Sequence, residues 1–454
     1  MCKIKTINLF VGLLLSQLFS ISVIGQEQAQ SAAQIFTLEQ AQAYAIENGY
    51  AARNAAKEVE KSKRVVKETI STGLPQVNAS GSYQNFIELP VQLVPAEFFG
   101  GNEGEFAEVV FGVKQQMGVD IRASQLIFDG SYFVGLQASR VYLELSKNDQ
   151  TKTEYDIRQM VTQAYGMVLV SEENVKVLED NTKSLEQNLV EVEALYENGF
   201  VEEQDRDQLA LLVQISKNTL ENGIRKAEIS RNQFKFILGI PIENQVELSE
   251  TLDQLIQPNL QQSFIEKDLD LSNHIDYKII NTQEKASELL LKQQKSFYLP
   301  KLSAFYSYQQ NSFSQEFNFL GDAPWFPTQV YGLNLTMPIF SSFGRHHKTQ
   351  QAKIEVEQMG IAKEQVTQQL KIQAANSKAE YTYALSQYRS AEDNLKLAQS
   401  IFDKTKIKYQ EGISTSLELT QANNQLIEIQ GNYINSALQL INAKSNLDQA
   451  LNNY

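Results

Sequence analysis

The sequence predicts a mainly α-helical chain with a β-barrel portion, and three observations lead there. Two proline-free stretches, 131–197 and 345–411, each run 67 residues, longer than a globular core is wide. Four shorter stretches alternate apolar and polar side chains with a period of two. The same succession of elements occurs twice, which makes two internal repeats.

The amino terminus sets the compartment. Lys3 and Lys5 precede an apolar stretch from Ile7 to Ile24, interrupted by Asn8, Ser16, Gln17, Ser20 and Ser22. With the small residue Gly25 at the cleavage point, this makes a secretory signal peptide over 1–25 and a mature chain starting near Gln26. A retained anchor is the alternative, but the run is interrupted and short for a span. Cys2, the single cysteine, lies before the run, so the mature chain has no thiol for a disulfide, a lipid anchor or a metal. No later segment reaches about 18 uninterrupted apolar residues, so a membrane crossing would have to be made by a closed barrel. The formal net charge is −14, and −16 without Lys3 and Lys5. Nucleic acid, which calls for basic surface, is excluded as a partner.

Leu74-Pro75-Gln76-Val77 returns as Leu299-Pro300-Lys301-Leu302 at an offset of 225, and Asn48 meets Asn273 at the same offset. Leu126-Ile127-Phe128-Asp129-Gly130 returns as Pro338-Ile339-Phe340-Ser341-Ser342 at 212, and Tyr196-Glu197-Asn198-Gly199 as Tyr409-Gln410-Glu411-Gly412 at 213. The drop in offset puts about a dozen extra residues in the first copy between Leu89 and Val113, as surface loops allow. The first repeat, 26–250, therefore holds a helix over 37–72, strands 75–89 and 113–128, the long helix 131–197 and a helix 203–238. The second, 251–454, holds a helix 272–298, strands 300–311 and 329–340, the long helix 345–411 and a helix 415–451. In each copy a Leu-Pro stops the leading helix.

In the strands, Val77, Ala79, Gly81 and Tyr83 oppose Gln76, Asn78, Ser80, Ser82 and Gln84. Val119, Ile121 and Ala123 oppose Gly118, Asp120, Arg122 and Ser124. In the second copy Leu302, Ala304, Tyr306 and Tyr308 oppose Lys301, Ser303, Ser307 and Gln309, with Phe305 the exception. Tyr331, Leu333, Leu335 and Met337 oppose Gly332, Asn334 and Thr336. Apolar on one side and polar on the other suits a transmembrane barrel with a wet lumen, and equally a soluble sheet with one solvated face. Four strands cannot enclose water, since eight barely enclose their own side chains. A barrel therefore requires strands from several chains.

A 67-residue helix is about 100 Å long at 1.5 Å per residue, so these helices must pack along one another. The first seam reads Val161, Ala164, Val168, Ser171, Val175, Leu178, Thr182, Leu185, Leu189, Val192 and Tyr196. The second reads Ala374, Ser377, Tyr381, Ala384, Tyr388, Ala391, Leu395, Ala398, Phe402, Thr405 and Tyr409. Steps alternating three and four favour left-handed supercoiling, and the short turn after each long helix makes the expected coiled coil antiparallel. The helices 37–72 and 203–238, 36 residues each, together match one long helix, which predicts a tube wall.

The duplicated plan, the paired Leu-Pro entries at Leu74 and Leu299, the exits at Phe128 and Phe340 and the Tyr-x-x-Gly turns at Tyr196 and Tyr409 resemble the TolC-like outer-membrane efflux family, across nearly the whole mature chain. The resemblance implies a Gram-negative outer-membrane homotrimer, with a 12-stranded barrel above a periplasmic helical tunnel. It implies a passive exit duct for a tripartite efflux pump or type I secretion system, docked to a periplasmic adaptor (membrane fusion) protein and an inner-membrane transporter. It also implies a gate at the tunnel tip. The family's tyrosine–aspartate tip bond maps onto Tyr409 and Asp205, and its inward acidic pair onto Glu418 and Gln421, where the second carboxylate is an amide. An arginine of the best-known member falls on Ser414. Asp205 with Glu202, Glu203 and Asp207 would equally complement a helix N-terminal dipole.

No cofactor is expected, and no enzyme. There is no phosphate-binding glycine loop, no zinc spacing and no nucleophile elbow, and His274 is far in sequence from any activated serine. His346 and His347 are helix neighbours that do not face each other; with Arg345 and Lys348 they read as a basic girdle near lipid headgroups, so no metal is expected. Trp325 reads either as an interface aromatic or as a loop anchor. The competing functional class is a soluble periplasmic coiled-coil adaptor or scaffold, which would carry a lipoyl-like β-rich domain that the sequence lacks.

Overall fold

The computed structural model describes residues 34–261 and 264–453, so the signal-peptide expectation, with Cys2, Lys3 and Lys5, lies outside them. The chain begins with β1 (Gln34–Phe36), α1 (Leu38–Asn48) and α2 (Tyr50–Ser71). β2 (Gln76–Asn85), a hairpin of β3 (Val91–Pro95) and β4 (Phe106–Val110), and β5 (Gln115–Asp129) follow. Then come α3 (Gly130–Glu197), α4 (Glu203–Leu238), β6 (Val246–Leu248) and α5 (Leu252–Ile256). The second half holds α6 (Ile275–Ser296), β7 (Lys301–Ser314), β8 (Trp325–Thr336), α7 (Gly344–Gln410) and α8 (Ser416–Leu451).

Element bounds recur at the offsets read from the sequence. α2 and α6 are both 22 residues, displaced by 225; α4 and α8 are both 36, displaced by 213. α3 and α7 run 68 and 67 residues, each about 100 Å. Each long helix folds back on its shorter partner, α3 on α4 and α7 on α8, and the seam residues of both are buried or half-buried. β2, β5, β7 and β8 form one antiparallel sheet in that order.

Several details differ from the sequence reading. The helix expected over 37–72 is two helices, because the chain breaks at Gly49 in extended conformation (φ −60°, ψ 145°). The break is a matter of space: a Cβ on Gly49 would sit 2.5 Å from the Ala45 carbonyl oxygen and 3.2 Å from that of Ile237 in α4. The expected helix 272–298 shortens to α6, because His274 caps it, its Nδ1 accepting from Asp276 N at 3.2 Å. The insertion between Leu89 and Val113, expected as plain loop, folds into the β3–β4 hairpin. The strand expected over 75–89 stops at Asn85, and the one over 113–128 becomes Gln115–Asp129. The strand expected over 300–311 runs on to Ser314; the one over 329–340 starts earlier, at Trp325, and stops at Thr336 before Pro338, which has no N–H for the ladder.

The main core is a belt around the middle of the helices. Tyr165, Tyr381, Phe234, Leu440, Ile441 and Leu447 are fully buried there. β1 and β6 pair in parallel beside them, and Tyr165 Oη donates to the Phe36 carbonyl at 3.1 Å. Tyr381 Oη lies 2.6 Å from the Asn259 carbonyl and 3.0 Å from that of Gln261, tying the inter-repeat segment to α7.

Candidate functional site

Two regions carry the chemistry: the four-stranded sheet at one end of the helices and the paired turns at the other. In the sheet, residues directly opposite one another project to the same side, so register decides which side chains share a face. Val77, Ala123, Tyr306 and Tyr331 form one row, and Ala79, Ile121, Tyr308 and Gln329 the next. The apolar sets of all four strands fall on one side, and that side holds no charged residue between the Leu302–Leu335 row and the Tyr83–Met117–Ser312–Trp325 row. Those rows are ten residues apart along β7, about 33 Å at 3.3 Å per residue, or about 25 Å high at a 40° tilt. That is the height of a bilayer's apolar band. Trp325 opens β8 on the uppermost row with Tyr83, in the position of an interface aromatic.

The other side carries Gln76, Asn78, Ser80 and Ser82, with Asp120, Arg122, Gln309 and Asn311 opposite. Phe305, the exception to the alternation, also lies there. It is accommodated because Gly332 stands opposite: a Cβ at 332 would meet the Phe305 ring at 3.1 Å. At the helix end of the sheet the Lys301 ammonium is 3.1 Å from Asp129, and the Arg345 guanidinium lies 5.2 Å from the Tyr298 ring centroid. His346 and His347 stand edge to face at 5.4 Å.

Both edges of this sheet, β2 and β8, lack a strand partner among the described residues. Tyr331, Leu333 and Leu335 on β8 are 87%, 69% and 66% exposed. Unpaired edges with exposed large apolar residues are a liability for a chain that stays single.

At the opposite end, Gly199 and Gly412 occupy the left-handed region at φ 74° and 71° and close the turns α3–α4 and α7–α8. Each hairpin tip has its own small core: Leu185, Val192, Leu209, Leu212 and Val213 in one, Ala398, Phe402, Leu419, Ala422 and Leu426 in the other. Tyr409 packs against both and so joins the two hairpins. Burial and the Asp205 and Glu191 carboxylates push its phenol above the ordinary value.

The structure brings Tyr409 and Asp205 to one groove of about 660 Å³, with Phe200, Leu195, Ser414 and Ser416, but no hydrogen bond joins the two. Asp205 instead accepts from the hydroxyl of Ser416, at the start of α8. Sequence mapping missed Ser416, and its signal was weak: a hydroxyl one residue past the cap of a helix. Glu418 is exposed and closes a capping box, accepting from Thr415 N at 3.2 Å and from the Ser414 hydroxyl, which hold its carboxyl below the ordinary range. Gln421 is exposed one turn further along.

These two regions on one chain, a two-faced sheet with open edges at one end of paired coiled-coil hairpins, make the fold of the TolC-like outer-membrane channels. Residues 282–453 match the family model described as outer membrane efflux protein. The chain is similar to CusC, whose crystal structures are described as reviewing conformational changes that accompany folding and transmembrane channel formation (16% identity, 94% of this chain and 95% of that one, TM-score 0.70). It is similar as well to the CmeC outer membrane channel of Campylobacter jejuni (16%, 91% and 85%, 0.70) and to the MtrE outer membrane channel of Neisseria gonorrhoeae in its open state (17%, 91% and 88%, 0.69). No curated protein matches by sequence.

Proposed function

We propose that three copies of this chain close one barrel in the outer membrane and form a passive exit duct for efflux. The observation that carries this is the sheet: four antiparallel strands, two open edges, one uncharged apolar side and one polar side. Because the strand number is even, β8 of one protomer runs antiparallel to β2 of the next, and the ladder continues around the ring without a reversal. Two copies would give eight strands, whose interior is filled by side chains; three give twelve and leave room for water. Closure would pair both open edges and put Leu333, Leu335 and Tyr331 in lipid.

The helices would then project into the periplasm as the tunnel wall. Exposed apolar residues along them, among them Val190, Leu211, Ile215, Ile361 and Ile372, fit packing between hairpins of neighbouring protomers. Energy in this reading would come from an inner-membrane transporter coupled through a periplasmic adaptor, which fits the efflux in the description of the family that residues 282–453 match. In this reading Asp205, Tyr409, Glu418 and Gln421 lie at the gated end. The test is fractionation of the full-length chain followed by reconstitution. The duct reading expects extraction only with detergent, an assembly of three chains, and stepwise conductance in planar bilayers. A folded monomer recovered from periplasmic extract without detergent would instead favour the soluble scaffold.

A further inference from the structure

We propose that Arg122, held over the Phe305 ring, sets the charge preference of the barrel's interior. The inference rests on the trimeric-duct reading and assigns to it a selectivity element far from the tip. On the polar side of the sheet the charged residues of the four strands are Asp120, Arg122, Asp129 and Lys301. Asp129 and Lys301 pair with each other at 3.1 Å, at the helix end. Asp120 accepts from the Ser307 hydroxyl at 2.5 Å. Arg122 has no carboxylate within ion-pair reach among the described residues, and its guanidinium carbon sits 4.6 Å from the Phe305 centroid.

The placement is built across three strands. Arg122 pairs with Ser307, which puts Phe305 on its diagonal, the distance at which long and aromatic side chains meet. Gly332, opposite Phe305, leaves room for the ring; a side chain there would displace it. A cation over an aromatic face is held by the ring quadrupole and keeps its charge available to solvent on the other side. The charged neighbour of Arg122 on this face is Asp120, whose carboxylate accepts from the Ser307 hydroxyl; the other neighbouring side chains, Asn78, Ser80, Ser124 and Gln309, are neutral. Three such rungs around a lumen would be the positive element that passing ions meet mid-barrel, so small anions and the anionic groups of cargo are the class favoured there.

The experiment uses the full-length trimer in planar bilayers under a potassium chloride gradient, with the reversal potential as readout. Arg122→Ala is expected to raise the potassium-to-chloride permeability ratio about sevenfold, because a unit charge about 7 Å from a passing ion in water changes the Boltzmann factors of cation and anion about 2.7-fold each, in opposite directions. Arg122→Lys, which keeps the charge, should stay near wild type. Asp120→Asn, which removes the neighbouring negative charge, should shift the ratio the opposite way and serves as an independent variant. Conductance with the wild-type reversal potential in Arg122→Ala, whatever Asp120→Asn does, would overturn the inference and leave the duct standing. Absence of any conductance from the wild-type chain would overturn the duct reading and this inference with it.

Discussion

Removing the Ser416 hydroxyl tests what holds the two hairpins of one protomer together at the tip. Ser416 is the first residue of α8 and is not its cap, which is Thr415, so Ser416→Ala leaves the helix start intact. The variant deletes the only side-chain hydrogen bond by which Asp205 reaches α8 among the described residues. A hydrogen bond to a charged group is worth about 1.5–3 kcal/mol, and partial exposure of both partners lowers that to about 1 kcal/mol. If this tip is the gate of the proposed three-chain duct, the closed-to-open ratio falls about fivefold for one link at 1.4 kcal/mol per tenfold, and about a hundredfold if three tips open together. Tyr409→Phe, by contrast, keeps the ring between the two tip cores and loses no hydrogen bond, so it should leave the ratio unchanged. Open probability in planar bilayers measures both. If Tyr409→Phe opened the channel as much as Ser416→Ala, or if Ser416→Ala changed nothing, the assignment of the link to Asp205 and Ser416 would be wrong.

Two further outcomes are expected. Glu418→Gln keeps a side chain able to close the capping box while removing the charge, so it should lower cation preference in bilayers with unchanged thermal stability; an unmoved reversal potential would make Glu418 a helix cap and nothing more. His274, buried beside Asp276 with its Nε2 lacking a hydrogen bond among the described residues, is held by burial below its ordinary value of 6.5. The unfolded chain therefore binds the proton more readily, and stability at this site is present above pH 6.5 and lost as pH falls through and below it. Burial raises Asp149, Asp156 and Asp448 nearby, and those groups act with the opposite sign. The measurement is thus the difference between wild type and His274→Gln: the variant should lose less thermal stability between pH 7.5 and pH 5.5, and a parallel loss in both would refute the assignment.

Much of the fold was legible because its signals are periodic and long. The seams of α3 and α7 put eleven positions each on one stripe, and all are at least half-buried. The sheet alternation assigned Val77, Ile121, Leu333 and their neighbours to one side before any register was known, and the register agrees. What was not legible depends on contacts between distant segments. Gly49 breaks its helix because α4 crosses there. Phe305 violates the alternation because Gly332 and Arg122, on two other strands, accommodate it. The β1–β6 pair joins residues more than 200 positions apart through three residues each, too short for any pattern to register.

The tip was the hardest part to read, and the repeat explains why. Asp205 and Glu418 are equivalent positions, 213 apart, yet one acid links two hairpins and the other caps its own helix. The difference lies in their neighbours. Thr415 gives α8 a side-chain cap that Glu418 completes, whereas α4 starts at Glu202 with no side-chain cap, which leaves the Asp205 carboxylate free to reach across to Ser416. The turn tyrosines diverge in the same way. Tyr196 lies under the Arg206 guanidinium at 4.6 Å, satisfied within its own hairpin. The equivalent of Arg206 is Leu419, which is buried, and Tyr409 packs on that apolar cluster and onto the neighbouring hairpin's. One arginine-for-leucine difference between copies thus separates a self-contained turn from a bridging one. Mapping a tip bond by position from a glycine cannot see that divergence, because it treats the two copies' neighbours as interchangeable.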